Sequence, residues 1–288
     1  MKKHLLIICL SLLALAGLIL YKRFIFFDGK LHLVFCDVGQ GDGIFIRTPN
    51  GKNIIVDGGP DDKIVSCLSS HMPFWEKIIH MVILTHPHAD HLNGLIPVIK
   101  RYTVLSFDTE KIENKTGGFL QLTQVIQKKK IPMRFLWQGD TFGIKDGVTL
   151  TIAGPSKEFL DETSPGGTIG ETKEFGSVQT LVSYGSFRIL LTGDSQAQEL
   201  EDALKSGILN TIDVFQIPHH GSKTGVNREI IEKLNPKLVV ISVGKNNYGH
   251  PSPEVGELLR NKEIKVLRTD KNGSIEIISD GRKFEIKK

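Results

Sequence analysis

Three histidines and one aspartate lie within six residues, at His86, His88, Asp90 and His91, directly after the apolar run 81–84. A buried strand that ends in a tight loop can hold nitrogen and oxygen donors in fixed directions, and imidazole with carboxylate suits zinc, manganese or iron. Because the chain has only ten histidines in 288 residues, a polar surface loop that happens to be rich in histidine is the weaker interpretation. The cluster therefore predicts a metal site.

The spacing inside this cluster indicates more than one metal position. His86 and His88 are two residues apart in extended backbone, so their side chains point the same way. Asp90 and His91 follow where a helix should begin. The spacing therefore predicts two pairs of ligands that face two neighbouring metal positions.

Two later apolar runs also end in groups that bind metals. Asp194 follows the run 187–191, and the doublet His219-His220 follows the run 212–217. A carboxylate at the end of a fully apolar strand is costly to bury without a cation beside it, so Asp194 is predicted to be a ligand. One histidine of the doublet should ligate a metal and the other should lie beside the substrate or orient a ligand, and either residue fits either role.

Apolar periodicity predicts the elements that must position these groups. Strands are predicted over 31–35, 44–47, 53–56, 81–84, 103–107, 134–137, 148–153, 177–183, 187–191, 212–217, 237–244, 265–268 and 274–278, and helices over 92–99, 119–126, 196–204 and 253–260. Strands that end one after another in His/Asp clusters, with helices between them, predict an α/β protein in which two mixed sheets pack together under outer helices. The stretch 154–176 has no apolar period and is predicted to be a mobile loop near the site.

The first 27 residues differ from the rest of the chain. The run Leu5 to Tyr21 carries no charged residue, and its 17 residues are at the short end of what spans a bilayer. A secretory signal cleaved after 14–16 is the alternative, but the apolar run continues through 18–20, which favours an anchor. We therefore expect a membrane segment at 1–27 and a domain that carries the predicted metal site at 28–288, with one span in the cell membrane and an external domain. Secretion after signal cleavage is the alternative localisation.

Charge and cysteine content add two weaker expectations. The net charge of +4 permits an anionic substrate without arguing for one. Cys9, Cys36 and Cys67 show no CxxC spacing, so each is expected to be a small buried hydrophobe and not part of a disulfide framework. No stable protein partner is predicted from the sequence.

The order His-X-His-X-Asp-His after a strand resembles the signature of the metallo-β-lactamase superfamily, and every fixed position matches. The segments 37–42, 57–59 and 248–251 indicate particular branches within this superfamily. The resemblance covers residues 32–280, approximately. Together they are similar to the metallohydrolase domain of ComEC-type DNA-uptake proteins, and also to the choline-phosphate esterase domains of some bacterial cell-surface proteins.

This resemblance implies an αββα sandwich with two divalent metal ions, zinc or manganese, bridged by Asp194. The remaining residues to which we assign roles on this basis fall into three groups. They are Asp90, His220 and His250 in catalysis, Asp57, Asp37 and Asp42 behind the ligands, and Ser222, Lys223, Asn247, Tyr248 and His250 at the substrate. Either His220 or His250 is expected to help protonate the leaving alkoxide.

One departure from the superfamily pattern bears on the substrate. Many members supply another histidine ligand between the first cluster and the bridging aspartate, but this chain has no histidine from Leu92 to Gly193. The DNA-uptake and choline-phosphate esterase branches also lack it, so the resemblance argues against a lactonase, glyoxalase or ordinary β-lactamase. One metal would be more open and more weakly held, which favours manganese or an exchangeable zinc.

The sequence hypothesis is a membrane-tethered, metal-dependent phosphodiesterase, most simply a nuclease acting on DNA. A cell-wall phosphodiester or choline-phosphate esterase is the alternative enzyme, although no aromatic cage or choline-binding repeat can be identified. Trp75 and Trp137 would be cage candidates only if they approach the site. A non-catalytic binding module is a third hypothesis, against which the complete ligand set argues.

Overall fold

In the computed structural model, two mixed β-sheets pack face to face and helices cover their outer faces. This confirms the predicted sandwich. Residues 2–111, 114–163 and 176–287 are described, apart from the side chains of 22–25.

The strands and helices of the described residues are as follows. The strands are β1 Leu31–Phe35, β2 Gly43–Arg47, β3 Asn53–Gly58, β4 Ile78–Ile79, β5 Met81–Leu84, β6 Thr103–Val104, β7 Phe107–Thr109, β8 Met133–Phe135, β9 Thr141–Gly143, β10 Val148–Gly154, β11 Gln179–Tyr184, β12 Phe187–Leu191, β13 Val214–Gln216, β14 Leu238–Ile241, β15 Lys265–Arg268, β16 Ile275–Ser279 and β17 Phe284–Lys287. The helices are α1 Lys2–Phe26, α2 Lys63–His71, α3 Ala89–Leu92, α4 Leu95–Arg101, α5 Gly117–Lys129, α6 Lys157–Thr163, α7 Ala197–Lys205, α8 Arg228–Leu234, α9 Pro253–Asn261 and α10 Thr269–Asn272.

Strand order explains why the ligand segments meet. The first sheet has the order β17-β16-β1-β2-β3-β5-β7-β8 and the second has the order β15-β14-β13-β12-β11-β10-β9. β1, β3 and β5 run in the same direction, and β12, β13 and β14 are parallel in the second sheet. β5, β12 and β13 lead into the predicted ligands His86, Asp194 and the doublet His219-His220. β3 ends with Asp57, which is predicted to lie behind the ligands. Their carboxyl ends form one edge of the sandwich, which we call the site edge.

Alternation of side chains builds the core between the sheets. Leu31, Leu33 and Phe35 of β1 point into the space between the two sheets, whereas Val34 points to the helical side. This is the period of two that strands require when one face meets a second sheet and the other meets helices. Buried clusters lie on both faces of the sheets, so the strands that lead to the site edge are packed on both sides.

The structure corrects the cysteine prediction. Cys36 follows β1, Cys67 lies in α2, and the two form a disulfide with a Cα–Cα distance of 5.9 Å. Burial of both residues was expected, but the pairing was not, because spacing along the chain does not report how closely a strand and a helix pack. Cys9 in α1 is unpaired and exposed.

Removing this disulfide is expected to destabilise the domain. The bond closes a loop across a sequence separation of 31, for which chain entropy predicts about 3–4 kcal/mol of unfolding free energy. The double variant Cys36→Ala/Cys67→Ala should show a lower midpoint of thermal or urea unfolding, while Cys9→Ala should match the parent. An unchanged midpoint in the double variant would contradict a structural role for the bond.

Local boundaries also differ from the predictions. The stretch 92–99 is divided between α3 and α4, because the chain turns at Gly94, where a side chain would collide with the carbonyl oxygens of Gly58 and Asp61. The predicted strand 103–107 is divided between β6 and β7, which belong to different sheets. The predicted loop 154–176 begins with α6, and its remainder, 164–175, lies outside the described residues.

Candidate metal centre

β5 delivers the histidine cluster to the site edge. Thr85 and His86 are buried immediately after the strand, and α3 begins after His88, so Asp90 and His91 lie in its first turn. The Gly41 region approaches the same turn, and Asp42 N–H donates to the carbonyl oxygen of Asp90. The switch from strand to helix inside the cluster is the one that the sequence predicted.

Asp194 lies between two groups of imidazoles. Its Oδ1 atom is 3.3 Å from His91 Nε2 and 3.5 Å from His220 Nε2. Its Oδ2 atom is 3.9 Å from His86 Nε2 and 3.8 Å from His219 Nε2. The two oxygens of one carboxylate therefore face two separate sets of nitrogen atoms.

The donor atoms fit divalent cations. Asp90, His91, Asp194 and His220 each offer a ligand atom, and these atoms lie within 4.8 Å of one another. Among the described residues, His86 Nε2, His91 Nε2 and Asp194 Oδ1 are buried and make no hydrogen bond. A buried polar atom without a partner costs about 1–3 kcal/mol. A cation between these atoms would remove that cost, and imidazole with carboxylate is a donor set for zinc or manganese.

Hydrogen bonds behind the cluster fix which nitrogen of each ring points inward. His91 Nδ1 lies 2.8 Å from Asp57 Oδ2, and His220 Nδ1 lies 2.9 Å from the carbonyl oxygen of Ser242. His86 Nδ1 is 3.1 Å from Thr85 Oγ1, and that hydroxyl donates to Asp57. Since each acceptor requires a proton on Nδ1, Nε2 is the atom of each ring that faces the cluster, and a cation that binds there would displace any proton it carries.

His219 has the opposite arrangement. Gln196 Nε2 lies 3.0 Å from His219 Nδ1 and 3.3 Å from the carbonyl oxygen of Asp194. The amide oxygen of the Gln196 side chain accepts the Glu199 N–H and so caps α7. The amide orientation is therefore set, and its N–H donates to His219 Nδ1. The proton of the neutral His219 ring must then be on Nε2.

Burial and charge oppose each other in the cluster. Burial raises the pKa of Asp42 to about 6. Burial also disfavours the charged form of Asp194, but the imidazoles of His220 and His91 outweigh it and hold the pKa of Asp194 well below its usual range. For His220, burial is outweighed by the charge of Asp194, and the pKa rises to about 9. Asp194 is therefore anionic at neutral pH, the form that a cation binds.

The cluster forms the floor of an open cleft of about 800 Å³. Asn247, Tyr248 and His250, for which the sequence analysis expects substrate contacts, line one wall, and the Tyr248 side chain is exposed, at 77%. Asn246 shapes this wall, because its amide bonds the backbone of Gly244, Tyr248 and His250. The His250 ring centroid is 5.2 Å from that of His219.

Three predicted residues are not brought to the cluster. Asp37 is exposed and accepts the Gly39 N–H in a turn. Ser222 is buried, and its hydroxyl lies 3.0 Å from Thr224 Oγ1. Lys223 is exposed, and it is not among the described residues that line the cleft. Their place next to the ligand motifs in the sequence suggested these roles, but turns direct their side chains elsewhere.

Several supporting residues were missed by the sequence interpretation. Gln216 Nε2 donates to Asp42 and holds it behind His91 and His220. Glu199 is fully buried, accepts three backbone N–H groups from Gly176, Ser177 and Gln196, and has its pKa raised to about 8 by burial. The Gln196-x-x-Glu199 spacing of a capping box was the signal available for it.

Comparisons with known proteins bear on the family and the fold of this chain. The sequence profile described as Metallo-beta-lactamase superfamily matches residues 36–245. "ComE operon protein 3" of Bacillus subtilis is 28% identical over 267 residues, which are 86% of this chain and 33% of that protein. "Recombination protein 2" of Haemophilus influenzae is 26% identical over 246 residues, which are 84% of this chain and 28% of that protein. This chain therefore spans about a third of the length of these relatives.

A solved structure adds support for the fold. The metallo-beta-lactamase fold protein YhfI from Bacillus subtilis superposes with a TM-score of 0.55 at 12% identity, covering 84% of this chain and 98% of that chain. At this identity the likeness concerns the fold alone.

Proposed function

The chain belongs to the metallo-beta-lactamase superfamily of metal-dependent hydrolases, and we propose that it is a membrane-tethered phosphodiesterase that cleaves DNA. The observation that carries the proposal is the Asp194 carboxylate, which turns one oxygen towards each of two imidazole groups at the floor of an open cleft. A phosphodiester needs a nucleophile on one side and charge stabilisation on its non-bridging oxygens.

We assign the donors to two positions. His86 and His88 would hold one cation and Asp90, His91 and His220 the other, with Asp194 bridging them. When bound, two divalent ions would lower the pKa of a shared water and stabilise the negative charge on the phosphoryl group. The Asp57 and Ser242 acceptors keep the ring nitrogens of His91 and His220 aimed at the second position.

The residues of the cleft would act on the phosphate. His219 Nε2 lies 3.8 Å from Asp194 Oδ2, and this ring would donate to a phosphoryl oxygen beside the cations. His250 lies next to His219 on the cleft wall and would protonate the leaving alkoxide. Asp42 and Gln216 contribute by holding the ligands from behind.

Two observations favour DNA as substrate. The relatives named above include a competence operon protein and a recombination protein. Tyr248 also presents an exposed ring beside Lys245 on the cleft wall, where a base could stack while the phosphate contacts the floor. Among the described residues that line the cleft, Tyr248 is the only aromatic residue besides histidine, so no cage for a quaternary ammonium forms, and the choline-phosphate alternative is less favoured.

The localisation proposal rests on α1 and on the disulfide. Residues 2–21 form a helix long and apolar enough to cross a bilayer, and none of it is buried against the domain. Disulfides persist in oxidising compartments, so the Cys36–Cys67 bond supports a domain on the outer side of the membrane.

Substrate comparison tests the proposal. The purified full-length chain in detergent, supplied with manganese or zinc, should hydrolyse bis-p-nitrophenyl phosphate and cleave single-stranded or duplex DNA faster than it releases choline phosphate from an ester. Preference for the choline-phosphate ester would support the alternative enzyme. Folded protein that is inactive on every substrate with both metals would exclude a phosphodiesterase.

A further inference from the structure

An exposed apolar patch lies at the edge of the sandwich opposite the metal centre. Phe74 and Trp75 are 67% and 38% exposed, and their rings pack edge to face with centroids 4.8 Å apart. Ile78 and Leu105 are also exposed, and they are joined through the short β4–β6 pairing, in which Leu105 N–H donates to the carbonyl oxygen of Ile79. We call these four residues the aromatic patch.

Hydrogen bonds connect this patch to the end of α1. Arg47 Nε donates to the carbonyl oxygen of Phe26, the last residue of the helix, at 3.0 Å. Arg47 Nη1 donates to Asn53 Oδ1 at 2.8 Å, and Asn53 Nδ2 donates to the carbonyl oxygen of Ile78 at 2.9 Å. The patch and the end of the apolar helix therefore lie at the same edge of the domain.

The chemistry of the patch matches a membrane interface. Trp favours the headgroup region because its ring is apolar and its N–H is polar, and Phe and Leu are apolar residues that surface-bound segments bury at the boundary between headgroups and acyl chains. Lys77 lies in the same loop, and Lys100 and Arg101 are exposed at the end of α4, next to the residues that pair with this loop. Glu76 accepts the backbone N–H groups of Lys77 and Ile78, so its charge is partly satisfied within the loop.

We propose that the aromatic patch is a second membrane contact, which seats the domain on the bilayer surface with the metal centre facing away from it. The proposal rests on the membrane tether of the proposed function. β5 begins just after the loop that carries Phe74 and Trp75 and ends at the histidine cluster, so the patch and the site edge lie at opposite ends of this strand. Seated in this way, the cleft would open to the aqueous side, where a polymer such as DNA could enter without meeting the membrane.

The two tryptophans of the chain provide a matched test. Trp137 follows β8 at the site edge and packs against Leu160, so it should remain far from lipid. The full-length chain is reconstituted into vesicles of phosphatidylcholine and phosphatidylglycerol with brominated acyl chains, as the variants Trp137→Phe and Trp75→Phe. We expect brominated lipid to quench most of the Trp75 emission and to leave the Trp137 emission nearly unchanged. Adding Phe74→Ala to the Trp137→Phe protein should reduce the quenching of Trp75.

Each outcome separates this proposal from the tether. Vesicle flotation reports whether α1 holds the chain on the membrane. Protein that floats while Trp75 stays unquenched and accessible to aqueous acrylamide would overturn the patch contact and leave the tether standing, with the patch free for a protein partner. Protein that does not float would overturn both. Equal quenching of Trp75 and Trp137 would also overturn the proposed orientation.

Discussion

Asp194→Asn is expected to abolish turnover and to reduce bound metal below the two ions per chain that the proposed dinuclear site requires. The amide keeps the size of the side chain but replaces one anionic oxygen, so one of the two imidazole groups loses its carboxylate partner. The loss of activity should exceed the roughly 10²–10³-fold loss that follows removal of a single transition-state donor. The measurements are metal content by elemental analysis and initial rates on bis-p-nitrophenyl phosphate.

Asp37→Asn is the matched control. Asp37 is an exposed carboxylate whose Oδ1 accepts a backbone N–H in a turn, and it touches no donor of the cluster. It should keep the parent's metal content and rate. If Asp194→Asn, folded by circular dichroism, retained full metal and full rate, the bridging role and the dinuclear assignment would both be wrong.

The placement of the proposed ligands at strand ends was predictable because it follows from local sequence. The strand 81–84 and the turn into α3 are encoded by an apolar run followed directly by polar donors, so the positions of His86 to His91 were predicted by short-range pattern alone. Asp194 was predicted for the same reason, since a carboxylate ends an apolar strand. The pairing of these strands into two sheets followed from the family resemblance and from the layer rule.

Contacts between distant segments were not predictable in this way. Asp57 is 34 residues from His91, and Gln216 is 174 residues from Asp42, so neither pairing has a local sequence signal. The Cys36–Cys67 bond was missed for the same reason. Asp37 shows the converse error, because closeness in the sequence to a motif was taken as closeness in space.

The doublet shows most clearly what the structure adds, since the sequence leaves either histidine free to ligate. His220 Nδ1 is next to an acceptor, the Ser242 carbonyl oxygen, whereas His219 Nδ1 is next to a donor, the Gln196 amide. The inward Nε2 atom of His220 can therefore give up its proton to a cation while Nδ1 keeps its own, whereas the single proton of the neutral His219 ring is on Nε2. We accordingly expect His220→Ala to lose one metal and His219→Ala to keep both.

The kinetic signatures of the two variants should differ as well. His219→Ala should lower kcat by about 10²-fold, the effect of removing one donor to a developing charge, and His219→Gln should recover part of it because its amide can donate. His220→Ala should lose activity together with metal, and raising the manganese concentration should restore some of its rate but none of the rate lost in His219→Ala. The reverse pattern, with metal lost from His219→Ala and retained in His220→Ala, would exchange the two roles.

Gln196→Leu offers an independent check of the His219 assignment. Without the Gln196 amide donor, the His219 ring can place its proton on Nδ1, and it should then be a weaker donor to the substrate. The metal content of this variant should be unchanged.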